Sequence, residues 1–155
     1  MTLQSGEKAP TFTLIADDKS PVSLSDYSGK NVILLFFPLA FTSVCTTELC
    51  NVRDNLGYYN KLNAQVLAIS VDSPFTLEKF KSEQSLNFPL LSDFNKEVSS
   101  NYGAIYEDFV LNMKGVSKRA AFVIDGEGVI RYAEVLDNAG ELPSFESIQK
   151  TLESL

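Results

Sequence analysis

Residues 31–50 read Asn31-Val32-Ile33-Leu34-Leu35-Phe36-Phe37-Pro38-Leu39-Ala40-Phe41-Thr42-Ser43-Val44-Cys45-Thr46-Thr47-Glu48-Leu49-Cys50, and they decide the fold. From Asn31 to Phe37 the run is almost wholly apolar, with β-branched and aromatic members. A run without polar alternation fits a strand buried on both faces, as in a parallel sheet beneath helices. Beyond Pro38 the period changes. Cys45, Leu49, Val52, Leu56 and Tyr59 recur at steps of four and three, which is one face of a long helix. Thr42 or Ser43 is suited to cap its start.

Working outward, residues 12–14 and 22–24 read as two short strands around the turn residues Asp17, Asp18, Ser20 and Pro21. Residues 66–71 are a second buried strand. Pro74 opens a helix to about Glu83. Residues 95–102 are a shorter helix closed by Gly103. Residues 120–124 and 129–135 flank Asp125-Gly126-Glu127-Gly128, a hairpin turn. Residues 144–155 form an amphipathic helix with Phe145, Ile148 and Leu152 on one side. Strand–helix–strand units demand parallel pairing with helical crossovers, and the closing hairpin adds antiparallel edges. The expectation is an α/β chain of one domain, residues 1–155, with a mixed central β-sheet and helices on both faces, as in thioredoxin-like folds.

Composition narrows the chemistry. The 155 residues are 45% hydrophobic and 21% charged, an ordinary globular balance. The first ten residues lack a basic stretch followed by an apolar run, so no secretory signal is expected. The apolar run at 32–37 is too short to span a membrane. The net charge of −7 and the lack of a Lys/Arg patch argue against nucleic acid and anionic membrane surfaces as partners. Histidine is absent, which removes Ser-His-Asp and Cys-His catalysis. Zinc would find only two thiolates plus carboxylates, an unusual ligand set, so no metal or other cofactor is expected. The two cysteines are five positions apart, too close for a disulfide between them to constrain the unfolded chain much. In a chain without an export signal, such a pair points to redox or metal chemistry.

Cys45 falls just after a buried strand and in the first turn of a helix. Unpaired N–H groups and the positive end of the helix dipole favour a thiolate there. Ligands of open α/β sheets also gather at the carboxyl ends of strands. The plainer reading is a small core residue on the apolar stripe.

The flanking residues weigh against the plainer reading. Pro38-x-x-x-Thr42-x-x-Cys45 resembles the active-site signature of the peroxiredoxins. The string 36–42 (FFPLAFT) is similar to the AhpE type. The string 45–50 (CTTELC) is similar to the bacterioferritin-comigratory or PrxQ type. Residues 88–93 (FPLLSD) and 119–125 (RAAFVID) also resemble the family, and the likeness covers nearly the whole chain. The resemblance implies a thioredoxin-like fold and a thiol-dependent peroxidase. Cys45 would be the peroxidatic nucleophile, and Thr42 would hydrogen-bond beside the thiolate and the peroxide oxygens. Pro38 would shield the sulfur, and Arg119 would supply a fixed positive charge. Each has a plainer reading: a cap for Thr42, which is compatible with its other role so that both are expected, a strand end for Pro38, a surface charge for Arg119. Glu48, at the family's CxxE position, fits equally an arginine holder or a first-turn acid. Arg53 and Arg131 read as solvated, and Phe36, Phe37 and Phe41 as core and pocket wall.

Cys50 would resolve the sulfenic acid formed on Cys45. Five residues on an intact helix separate the two Cα atoms by roughly 8–9 Å, beyond the ~7 Å a disulfide tolerates. An internal bond therefore requires the first turns to unwind, and the weak helix formers Thr46 and Thr47 ease that. The alternative is resolution by an external thiol. The resemblance implies a hydroperoxide substrate and a thioredoxin-like or low-molecular-weight thiol reductant. The lack of an export signal points to a cytoplasmic setting, and the likeness to the AhpE type suggests a homodimer while the PrxQ type permits a monomer. Two other readings compete. A thiol–disulfide oxidoreductase would carry CxxC and a proline near Arg119, neither of which is present. A non-catalytic thioredoxin-like module predicts an ordinary Cys45 thiol.

Overall fold

A computed structural model describes residues 3–155. Its elements are β1 (Thr13–Ala16), β2 (Pro21–Ser23), β3 (Asn31–Phe36), α1 (Ser43–Asp54), α2 (Leu56–Lys61), β4 (Ala64–Ser70), α3 (Pro74–Gln84), β5 (Leu90–Ser92), α4 (Glu97–Asn101), β6 (Ile105–Tyr106), β7 (Val116–Ser117), β8 (Arg119–Ile124), β9 (Ile130–Leu136) and α5 (Phe145–Glu153). Seven strands form one sheet in the order β2-β1-β5-β4-β3-β8-β9, and β6 pairs with β7 apart from it. The central pairs β3–β4 and β4–β5 are parallel. The neighbours β1–β5, β3–β8 and β8–β9 are antiparallel. This is the mixed, thioredoxin-like α/β sheet.

The apolar run of β3 is divided between the two faces. Ile33, Leu35 and Phe37 enter one core cluster with Leu49, Val52, Tyr59, Leu77, Phe80, Ile148 and Leu152, contributed by α1, α2, α3 and α5. Val32, Leu34 and Phe36 enter the other with Ala9, Phe12, Val98, Tyr102 and Phe122. Alternate side chains of a strand point to opposite faces, so burial of both faces needs a run with no polar gaps.

Several boundaries differ from the sequence expectation. The long helix is two helices, α1 and α2, separated at Asn55 (φ −112°, ψ 13°). The Asn55 side chain donates to the Asn51 carbonyl at 2.8 Å, competing with the helical ladder. Gly57, two residues on, adds little helix propensity. Leu56 and Tyr59 still pack on the same core, so the apolar stripe survives the break. Strand β2 ends at Ser23, and Leu24–Tyr27 form a 3-10 turn. Helix α4 starts only at Glu97, because Lys96 is left-handed (φ 68°) and the Asp93 carboxylate accepts from the N–H groups of Val98 and Ser99 at 3.2 and 2.7 Å. Strands β5, β6 and β7 are too short to show a period. The closing hairpin forms as expected, with Asp125 Oδ1 accepting from the N–H groups of Glu127 and Val129 at 2.9 and 3.0 Å. Among the described residues no helix is long and apolar enough to cross a membrane.

Candidate active site

The parallel strand β3 ends at Phe36, and the chain turns through residues 37–42 into α1. In the antiparallel register, Phe36 faces Ala120 of β8. Arg119 therefore begins β8 at the same end of the sheet where α1 begins, although 74 residues separate it from Cys45. This topology is what makes them neighbours.

The turn is held from below. Phe37 N–H donates to the Ile69 carbonyl at 2.9 Å. Ala40 N–H donates to Asp72 Oδ2 at 2.8 Å, and Ser70 Oγ donates to the same oxygen at 2.7 Å. Phe41 takes a left-handed φ of 66°, which swings its ring outward. It is half exposed and stacks edge-on against Phe80 at 5.1 Å, so it is not the buried pocket wall expected from sequence.

Thr42 occupies the N-cap position of α1 with extended backbone angles, but its side chain caps nothing. Its hydroxyl donates instead to the Leu39 carbonyl at 2.8 Å. A capping hydroxyl accepts from a first-turn N–H. Here it is turned the other way, with its lone pairs left over. The cap expectation for Thr42 is thereby corrected in its side chain and kept in its backbone.

Cys45 is fully buried and sits at the floor of a cavity of about 320 Å³. Pro38, Thr42, Arg119, Val110 and Leu111 line the same cavity. Arg119 Nη2 donates to Cys45 Sγ at 3.2 Å, and Nη1 donates to Glu48 Oε1 at 2.8 Å. Nε and Nη2 both donate to the Ala139 carbonyl, at 3.2 and 2.9 Å. Arg119 is 1% exposed, so its charge acts in a dry setting. Glu48 lies one helical turn past Cys45 on the same face of α1. Its carboxyl oxygen accepts from the arginine, the contact that the first of its two readings calls for. It is also fully buried, and its Oε2 has no hydrogen-bond partner. Burial pushes the Glu48 carboxyl up to about 7, even against the adjacent Arg119. Burial opposes the charge on Arg119, but Glu48 and Cys45 outweigh it and hold the guanidinium more firmly protonated than usual.

Cys50 lies elsewhere on α1. It is half-buried and reduced, with Sγ 3.6 Å from Gln84 Oε1. Both cysteines are on an unbroken stretch of helix, as the spacing argument required. Arg131 is 44% exposed, but Arg53 is only partly so and bonds to the Gln84 carbonyl. The expectation of a solvated Arg53 is corrected accordingly.

Sequence reasoning missed the Ala139 carbonyl and Asp72. The first is a backbone group with no side-chain signature. The second stood in plain view, two residues past β4, without any sign of the N–H it receives. A second cavity, about 200 Å³ beside Lys8, Tyr27 and Asp125, contains no cysteine.

A sequence model of the AhpC/TSA family matches residues 5–133. Peroxiredoxin-2 of Bos taurus is 41% identical over 95% of this chain and 74% of its own. Alkyl hydroperoxide reductase E of Mycobacterium tuberculosis is 42% identical over 86% of each chain. The crystal structure of peroxidoxin BcpB from Mycobacterium tuberculosis superposes with a TM-score of 0.87 at 26% identity, covering 99% of this chain and 98% of that one. The chain belongs to the AhpC/TSA family and is a peroxiredoxin, a thiol-dependent peroxidase.

Proposed function

We propose that Cys45 is the peroxidatic nucleophile, that Arg119 and Thr42 stabilise its transition state, and that Cys50 resolves the oxidised form. The observation that carries this reading is the buried contact between Arg119 and the Cys45 sulfur. A thiolate is the reactive form of cysteine. Here the helix N-terminus and a guanidinium replace the imidazole that the chain lacks.

The thiolate attacks the outer oxygen of a hydroperoxide. The S–O bond forms as the O–O bond breaks. Sulfur is oxidised to a sulfenic acid, and the departing hydroxide or alkoxide takes a proton to leave as water or alcohol. Negative charge grows on the leaving oxygen. Arg119 and the first-turn N–H groups of α1, which no side chain caps, are placed to receive it. The Thr42 hydroxyl donates to Leu39, so its lone pairs are oriented to accept from the peroxide. Pro38 and the apolar wall of the cavity exclude water from the sulfur. The Cys50 thiolate then attacks the sulfenic sulfur, hydroxide leaves, and a disulfide forms. A thioredoxin-like or low-molecular-weight thiol donates two electrons and two protons to restore both thiols. We place the enzyme in the cytoplasm, where thiol reductants keep such cysteines available for turnover. We propose a homodimer as its assembly, on the likeness to the AhpE type alone.

The test is peroxide consumption with a dithiol reductant, paired with intact mass after one equivalent of hydrogen peroxide. Turnover lost in Cys45→Ser and a mass lower by two hydrogens in the wild type support the reading. Turnover retained in Cys45→Ser rejects it. A stable added oxygen in the wild type rejects the role of Cys50 and leaves an external thiol as resolver.

A further inference from the structure

The catalytic reading leaves two residues unused, Arg53 near the end of α1 and Gln84 at the end of α3. They meet. Gln84 Oε1 lies 3.6 Å from Cys50 Sγ, and the Gln84 backbone carbonyl accepts from Arg53 Nη1 at 2.5 Å. Asn87 Nδ2 donates back to the Arg53 carbonyl at 3.3 Å. Arg53 Nε is fixed in turn by Asp54 Oδ1 at 3.0 Å. Residues 84–87 thus tie the second half of α1 to the chain between α3 and β5.

The first half of α1 is held differently. The hydroxyls of Thr46 and Thr47 bond to the carbonyls of Thr42 and Ser43, inside the same helix. Back-bonding of this kind tends to weaken a helix and bend it. The polar link from this half to the rest of the fold is Arg119, through Cys45 and Glu48. Oxidation of the thiolate to a neutral sulfenic acid takes away one of those two attractions.

We infer that Gln84 and Arg53 are positioning residues for Cys50. They hold the second half of α1 in place, so that the first half unwinds and carries Cys45 to a stationary Cys50. The inference rests on the proposed resolving role of Cys50. Its physical basis is that the two sulfurs cannot join on an intact helix, so one half must move. The half that moves is the one with internal side-chain bonds and an anchor that the reaction itself weakens. Cys50 loses its proton, attacks the sulfenic sulfur, and hydroxide departs.

The test uses the full chain with Gln84→Met and Arg53→Gln, followed by stopped-flow and by hydrogen exchange. The second-order oxidation of Cys45 by hydrogen peroxide is expected to match the wild type in both variants. That match also reports an intact fold. The following first-order disulfide step is expected to slow by about tenfold or more, within the ~10²-fold that a 1 Å misplacement of a reacting group can cost. In the oxidised wild type, amides of residues 43–48 should lose protection while those of 51–54 keep it. A disulfide step at the wild-type rate or faster overturns the inference, as does loss of protection confined to 51–54. If the wild type forms no disulfide at all, Cys50 is not the resolver and the inference falls with that role, while the peroxidatic role of Cys45 stands or falls on its own turnover test. A disulfide that forms at an unchanged rate in the variants removes the positioning role alone.

Discussion

Arg119 Nη2 stands 3.2 Å from Cys45 Sγ, while Nη1 of the same guanidinium stands 2.8 Å from Glu48 Oε1, and all three side chains are buried. One cation thus serves a nucleophile and a carboxyl on successive turns of one helix. Its orientation is set by the Ala139 carbonyl behind it.

Arg119→Lys keeps the positive charge but loses the planar fork that reaches sulfur, carboxyl and carbonyl at once. The second-order rate of Cys45 oxidation should fall about 10²–10³-fold, the usual scale for one lost oxyanion donor. Stopped-flow at pH 7 reads this directly. A drop of less than about threefold would mean that the guanidinium fork is not what the reaction uses.

Thr42→Val removes the hydroxyl without changing the shape much, and Thr42→Ser restores it. The valine variant should lose about 10²-fold in the same rate constant because the peroxide is no longer oriented, with the serine variant close to wild type. The valine variant also loses the hydrogen bond to the Leu39 carbonyl, about 1 kcal/mol of stability, which the serine variant should retain. Equal losses in both variants would instead point to packing.

Glu48 links the site to pH-dependent stability. Its carboxyl is raised from an ordinary 4.5 to about 7 by burial, against the pull of Arg119. Between those values the folded chain binds more protons than the unfolded chain. The contribution is therefore full below about 4.5 and is lost as pH rises through about 7. At ~1.4 kcal/mol per unit the loss is at most on the order of 3 kcal/mol. Denaturant unfolding of the wild type and of Glu48→Gln at several pH values isolates this group. The difference between them should slope across that window, and a flat difference would reject the assignment.

Much of this was legible in the residues themselves. The two-sided burial of β3 followed from a run with no polar gap, and the face of α1 from its steps of four and three. The break at Asn55 was not, because a side chain bonding its own backbone disturbs a helix without disturbing its apolar period. For the site, the position of Cys45 in a helical first turn could be reasoned from sequence, as could the choice of Arg119 once the family likeness was noted. The Thr42 hydroxyl pointed the wrong way for its cap, since donor and acceptor roles of a hydroxyl depend on neighbours that local pattern does not display. The link of Arg53 and Gln84 to Cys50 depends on where α3 ends relative to α1, which no local pattern encodes.

The most direct measurement is the second-order rate of Cys45 oxidation by hydrogen peroxide at pH 7 in a Cys50→Ser background. A sulfur in buried contact with the Arg119 guanidinium should react about 10³-fold or more faster than free cysteine. A rate no greater than that of free cysteine would contradict the account at its centre.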